Sequence, residues 1–318
     1  MKQAVLMKRE KKKVSAIRRL QRKDNWQLFS LTLPGLALMI LFNYLPMFGL
    51  ILAFKKYKFN LGFLGSEWVG LKNFEFFFKS GVIERLVTNT LGMNLLFLAV
   101  NTVVTVVLAL LLYEIKNRMA IRAYQTVIFL PFVVSWVAAS YALYANLADV
   151  NGIINGILSA LGFETVRWYI TPEVWPTVLL ICYLWKQMGY GMIIYYGNLM
   201  AVDNSYFEAA RLDGANRLQI ARYISWPFIR PTVIMFTILT LGRVFSADFG
   251  LFFYMTKNST LLYETTDVID TYVYRALRQT GDVGMSAAIG LLQSVIGLII
   301  LLLANKLARK IDEEGAVF

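Results

Sequence analysis

Between two apolar runs, residues 205–227 read Ser205-Tyr-Phe-Glu-Ala-Ala-Arg-Leu-Asp-Gly214-Ala-Asn-Arg-Leu-Gln-Ile-Ala-Arg-Tyr-Ile-Ser-Trp-Pro227. Ser205 and Glu208 have the S-x-x-E spacing of a capping box, which predicts a short helix beginning there. Gly214 is placed to end or sharply turn that helix. A second short helix is expected to run to about Ser225, with Pro227 opening the following apolar run. Ala209 and Ala210 leave a smooth patch that another backbone can approach closely. Arg211, Asp213, Arg217 and Arg222 give it polar edges. The expected product is a compact helix–turn–helix knob standing between two membrane spans.

The rest of the chain explains why the flanks are spans. Of 318 residues, 58% are hydrophobic and 16% charged, with a mean hydropathy of +0.55. Soluble domains carry about 25% charged residues, so the composition points to lipid. A bilayer core takes about 20 apolar residues to cross as a helix. Six runs qualify: 28–54, 86–113, 121–147, 175–200, 228–251 and 285–305. Pro34 and Pro46 are expected to kink the first, and Pro172 and Pro176 mark the start of the fourth. The fold class expected is all-α integral membrane, with six transmembrane helices.

The net charge of +12 is unevenly placed. Lys2, Lys8, Arg9, Lys11, Lys12, Lys13, Arg18, Arg19, Arg22 and Lys23 crowd one end and lead into the first span, as in a cytoplasmic flank held near anionic headgroups. This argues for a membrane surface and against nucleic acid as the partner. Three regions are expected: a basic cytoplasmic segment 1–27, a transmembrane domain 28–305 and a short cytoplasmic tail 306–318. Both termini and the loop 201–227 then lie inside, and Lys and Arg are more frequent on that side, although Lys55, Lys56 and Lys58 run against the trend. The outer segment 55–85 is rich in aromatics (Trp68, Phe74, Phe76, Phe77, Phe78), as for a stretch lying along the interface. Segments 149–174 and 252–284 serve equally well as interfacial anchors or as contacts for an extracytoplasmic partner.

Several chemistries are excluded. The chain has no histidine and one cysteine, Cys182, so it has no internal disulfide, no usual zinc set and no histidine base. It also lacks a G-x-x-x-x-G-K-[ST] phosphate loop, so any nucleotide energy must come from a partner. A membrane enzyme such as a lipid-linked sugar transferase would need clustered acidic residues, and none is evident.

The knob resembles the EAA motif of binding-protein-dependent ABC importer permeases: E-A-A, three residues, G, nine residues, I-x-L-P. Glu208, Ala209, Ala210, Gly214, Ile224 and Pro227 match in register, with Trp226 replacing the usual Leu. The resemblance extends over Phe48 to Tyr57, Trp185-Lys186, Asp213 to Arg217, Asp267 to Tyr274 and Ala304 to Lys306, and is to the polysaccharide-type branch of sugar permeases. It implies the type I, MetI-like permease fold in a bacterial inner membrane. It also implies a non-catalytic subunit that works with a second homologous permease subunit, two copies of a cytoplasmic ATPase and an extracytoplasmic solute-binding protein. ATP and magnesium would be bound by the ATPase, with no cofactor in this chain. Coupling would pass through Glu208, Ala209, Ala210, Asp213, Gly214, Ala215, Ile224 and Pro227. The cargo implied is an oligo- or polysaccharide; a small sugar, glycerol phosphate or peptide is the alternative.

Charges inside spans face a cavity or a partner. Lys186, in the fourth run, and Arg243 and Asp248, in the fifth, have two readings: structural pairing, or a translocation path favouring an acidic, uronate-containing saccharide. Tyr183, Trp185, Tyr190, Tyr195 and Tyr196 are further path candidates, because aromatic faces stack on sugar rings, and Tyr183, Gln187 and Tyr190 share roughly one helix face. Packing is the competing reading. Asn94 and Asn101 are expected to bond a neighbouring helix.

Overall fold

A computed structural model describes residues 26, 28–79, 81–312 and 315–317. The basic segment read as a cytoplasmic flank lies outside these, apart from Trp26. Among the described residues, five helices are long and apolar enough to span a bilayer: α1 (Leu28–Phe54), α3 (Ile83–Tyr113), α7 (Trp175–Met200), α9 (Arg217–Leu241) and α11 (Val283–Ile311). The third expected run is a bent pair, α4 (Arg118–Val133) and α5 (Trp136–Leu147), meeting at 98°. Shorter helices connect them: α2 (Lys72–Lys79), α6 (Ile153–Ala160), α8 (Asn204–Leu212) and α10 (Ile269–Thr280).

Prolines are absorbed rather than breaking the long helices. In α1 a wide π-type turn, Ile40–Tyr44, stands just ahead of Pro46, and in α9 the turn Ala221–Ser225 stands just ahead of Pro227. A proline removes one N–H and its ring presses on the carbonyl one turn back, and a π turn provides room for that ring. The second helix of the knob therefore does not stop at Ser225, and Pro227 does not open the fifth span. Arg217 to Leu241 is continuous.

Two breaks do occur at membrane depth. At the first, α4 ends after Pro131, Val134 is extended, and Ser135 caps α5 by accepting the Ala138 N–H at 3.2 Å. At the second, α9 ends at Leu241, so Arg243 and Asp248 sit beyond the helix, not within a span to 251. Backbone polar groups in lipid must find protein partners. Here Asn94 donates to Val244 O (2.7 Å) and Ser246 O (3.2 Å), Gln293 to Phe245 O (2.7 Å), and the Ala247 N–H to Asp270 Oδ2 (2.7 Å). Asn94 thus bonds the non-helical segment 244–246, not the neighbouring helix expected of it.

The core is a set of tight helix contacts. Trp175, Leu179, Leu251, Phe252 and Met255 form one buried cluster, while Ala109, Met192, Leu199 and Ile229 form a second. A Cβ on Gly189 would collide with the Ile128 backbone, so α7 and α4 touch backbone to backbone. α11 runs antiparallel to α9. Gly297 lies against the Gly242 carbonyl, and Arg230 meets Asp312 at 3.4 Å and Ile311 O at 2.8 Å. The end of α11 accordingly lies towards the knob.

The segment after α1 forms a clasp, with Trp68 and Phe78 exposed on it. Lys55 and Lys56 pair antiparallel with Trp68 and Glu67, and buried Lys55 donates to Phe63 O and Leu64 O. One of the three lysines that ran against the charge trend, Lys55, is thereby used internally.

Candidate functional site

The knob is built as a capped helix, a glycine turn and a second capped helix, but with different caps from those expected. Asp203, not Ser205, caps α8: its carboxylate accepts the Ser205 N–H at 2.9 Å, a bond that holds the carboxyl below its usual range. Glu208 lies within the helix, and no Ser205–Glu208 box forms. The reciprocal box belongs to α9, where Asn216 accepts the Gln219 N–H (2.9 Å) and Gln219 accepts the Asn216 N–H (2.8 Å). An Asn-x-x-Gln pair was legible there and was passed over for the serine.

Gly214 has φ +79°, and an added Cβ would meet nothing within 4 Å. The turn is left-handed, closed by the Ala215 N–H bonding Ala210 O at 2.9 Å and the Gly214 N–H bonding Arg211 O at 3.1 Å. Glycine adopts this conformation at no steric cost. Phe207 is the knob's anchor: it is buried and packs on Tyr113 with ring centroids 5.0 Å apart. Glu208, Ala209, Asp213 and Gly214 stay exposed, while Ala210, Ala215 and Ile224 are half-buried. The knob thus presents its first helix to the outside while remaining fixed to α3.

Within the bundle, a cavity of about 800 Å³ is lined by Asn94, Phe97, Tyr183, Gln187, Arg243 and Asp248. A smaller chamber of about 170 Å³ shares Tyr183 and Gln187 and adds Tyr190 and Asn101. Tyr183 stacks on Phe97 at 4.4 Å and Tyr190 on Phe132 at 5.0 Å. The Asn101 Oδ1 is buried in the smaller chamber without a hydrogen-bond donor among the described residues, so the bond expected of Asn101's side-chain oxygen is not formed. Arg243 is exposed to the larger cavity and forms no ion pair among the described residues.

Lys186 is placed differently. It donates to Phe132 O at 2.9 Å and to Val134 O, and sits 5.2 Å from the Trp136 ring centroid. A cation there answers the negative end of α4, where the last carbonyls lack helical partners. Asp248 is held on the same assembly: Oδ2 accepts from Trp136 Nε1 at 2.9 Å and Oδ1 from the Leu251 N–H at 3.2 Å. Gly250 leaves room for the Trp136 ring. Arg243 and Asp248 do not pair with each other. Trp136 and Gln293, which sequence reasoning did not single out, are as close to the breaks as any predicted residue.

Outside the bundle, Asp267 is buried between Arg275 (2.5 Å) and Arg85 (3.3 Å), which ties the segment before α10 to α3. Burial raises the Asp270 carboxyl, while the Ala247 N–H and Gln293 favour its charged form. No group of three or more potential metal ligands occurs among the described residues.

The family model described as binding-protein-dependent transport system inner membrane component matches residues 90–313. A polygalacturonan/rhamnogalacturonan transport system permease protein, YteP of Bacillus subtilis, is 36% identical over 312 residues, covering 98% of this chain and 96% of that one. A solved bacterial alginate ABC transporter, in complex with an alginate pentasaccharide-bound periplasmic protein, superposes with a TM-score of 0.81 at 30% identity, over 91% of this chain and 96% of the other. A second structure, of a bacterial ABC transporter importing the acidic polysaccharide alginate, gives 0.82 at 30% identity, over 91% and 97%.

Proposed function

The chain belongs to the family of inner membrane components of binding-protein-dependent transport systems, and from that premise we propose that it is the permease subunit of an importer for acidic oligosaccharides. In this reading it pairs with a second, homologous permease subunit. An extracytoplasmic solute-binding protein delivers the saccharide, and two copies of a cytoplasmic ATPase bind ATP and magnesium and supply the energy. The termini, the basic segment 1–27 and the loop 201–227 lie on the cytoplasmic side. Each ATPase holds a knob in a cleft. Its closure on ATP moves Glu208–Gly214 as a rigid body, and α9, continuous with the knob, carries that motion to the break at 242–248 where the cavity lies.

The observation that carries the cargo assignment is Arg243: a guanidinium without an ion pair among the described residues, opening on a cavity that Tyr183 and Gln187 also line. A bidentate guanidinium suits a carboxylate, an aromatic face suits a sugar ring, and an amide suits hydroxyls. The names of the relatives, with galacturonan- and alginate-type cargo, point the same way.

The test uses the complex reconstituted in liposomes with its binding protein. Uronate oligomers should stimulate ATPase activity and uptake, and neutral oligomers of equal length should do so weakly. Arg243→Met should lose at least tenfold in uronate uptake while basal ATPase activity persists. Equal loss for acidic and neutral cargo would reject charge selection at this residue.

A further inference from the structure

Beside the knob, a cleft of about 630 Å³ opens where α3 ends and α4 and α9 begin, and its lining includes Lys116, Arg118, Arg122, Arg211 and Arg217. Against these five cations stand only Glu114 and Glu208. Arg217 reaches Glu114 at 3.5 Å; the other four carry no ion pair among the described residues. The floor is apolar, with Phe207, Met200 and Ile121. By length and apolar composition, spans end at Tyr113 and start at Arg118 and Arg217, which puts the cleft at one end of the bundle, where the phosphates of a surrounding bilayer would lie.

We propose that this cleft binds the headgroup phosphate of an anionic phospholipid, with its glycerol and first acyl carbons over the Phe207 floor. Arg118 and Arg122 lie one helical turn apart, so two guanidinium forks address one phosphodiester, each able to bond bidentately. A compact phosphate alone would satisfy the cations but not the apolar floor, and a neutral lipid would satisfy the floor but leave the net positive charge unanswered. Because the lipid would rest against Phe207 and Arg211, it would brace the knob on the bundle. This site is independent of the cargo and of Arg243.

The test is made on the intact complex in detergent. Phosphatidylglycerol, phosphatidylcholine and inorganic phosphate are each titrated, and bound adducts are counted by native mass spectrometry. Phosphatidylglycerol should bind in preference to phosphatidylcholine, and millimolar phosphate should not displace it. Removing two surface charges at about 1 kcal/mol each predicts about 30-fold weaker phosphatidylglycerol binding for Arg118→Gln/Arg122→Gln. The charge-retaining Arg118→Lys/Arg122→Lys pair should keep most of the affinity, which separates charge from misfolding. Equal binding of both lipids, displacement by free phosphate, or loss of the ATPase from the complex in place of lipid would each overturn the assignment.

Discussion

Gly214 offers the sharpest separation of fold from coupling. Its φ of +79° closes the turn between α8 and α9, yet a Cβ there would touch nothing within 4 Å. A substitution is therefore penalised by backbone conformation alone, about 1–2 kcal/mol for an ordinary L-residue and more for a β-branched one. Since 1.4 kcal/mol is a factor of ten, Gly214→Ala should lower the population of the native knob about 5- to 30-fold relative to its alternatives, and Gly214→Val further. Gly214→Asn should be milder than either, because asparagine tolerates the left-handed region. The spans are untouched, so all three should insert and co-purify with the second permease subunit proposed above. In proteoliposomes, binding-protein-stimulated ATPase activity and uptake should fall in the order Gly, Asn, Ala, Val. If Val matched wild type, or Asn were as damaging as Val, the left-handed turn would not be what couples the knob.

Asn94→Leu should strip the Val244 and Ser246 carbonyls of their donor and cost about 1–3 kcal/mol, seen as a lower melting temperature in detergent; an unchanged melt would mean that water or lipid already serves those groups. Gly189→Ala should force α7 from α4, since its Cβ would collide with Ile128 backbone, and should lower thermal stability by more than Gly197→Ala, whose Cβ meets open space. Asp203 is a carboxyl held low by its cap bond to Ser205, so its stabilisation of α8 is complete above the ordinary carboxylate range and is lost as pH falls through its lowered value. The amide-exchange protection of Asn204–Leu212, measured relative to the intrinsic rate at each pH, should fall on acidification in the wild type and much less in Asp203→Asn, which caps without ionising; identical acid profiles would remove Asp203 from the role.

Much of the architecture was legible because apolar length is a strong signal and the knob has fixed spacing. The bent pair α4–α5 was not, because residues 121–147 are apolar across the bend, and hydropathy sees composition, not direction. Only Pro131 followed by Ser135 hinted at a stop and a new cap. The end of α9 was missed for a related reason. Residues 242–248 keep enough apolar side chains to extend a hydropathy window, while the amides and carboxylate that stabilise the break, Asn94, Gln293 and Asp270, lie far away in the chain. The cap of α8 was misassigned locally: Asp203 and Ser205 both satisfy cap preferences, and spacing to Glu208 favoured the wrong one.

The two breaks share one device, which gives the in-span charges a physical sense. Lys186 holds the carbonyl end of α4, Trp136 opens α5 and bonds Asp248, and Asp248 caps the turn that follows the second break. A lysine and an aspartate that looked like free charges in lipid are thus the two ends of one bracket. Arg243 is left outside it, on the cavity side. If α9 transmits motion from the knob, it delivers it to the strand of chain between Leu241 and Asp248, pinned at one end by this bracket and along its length by Asn94 and Gln293. The Arg243 guanidinium makes no ion pair among the described residues. A charge so placed on a cavity wall beside the end of α9 is well suited to release its ligand as the wall shifts, and Lys186, bonded to two backbone carbonyls, is not.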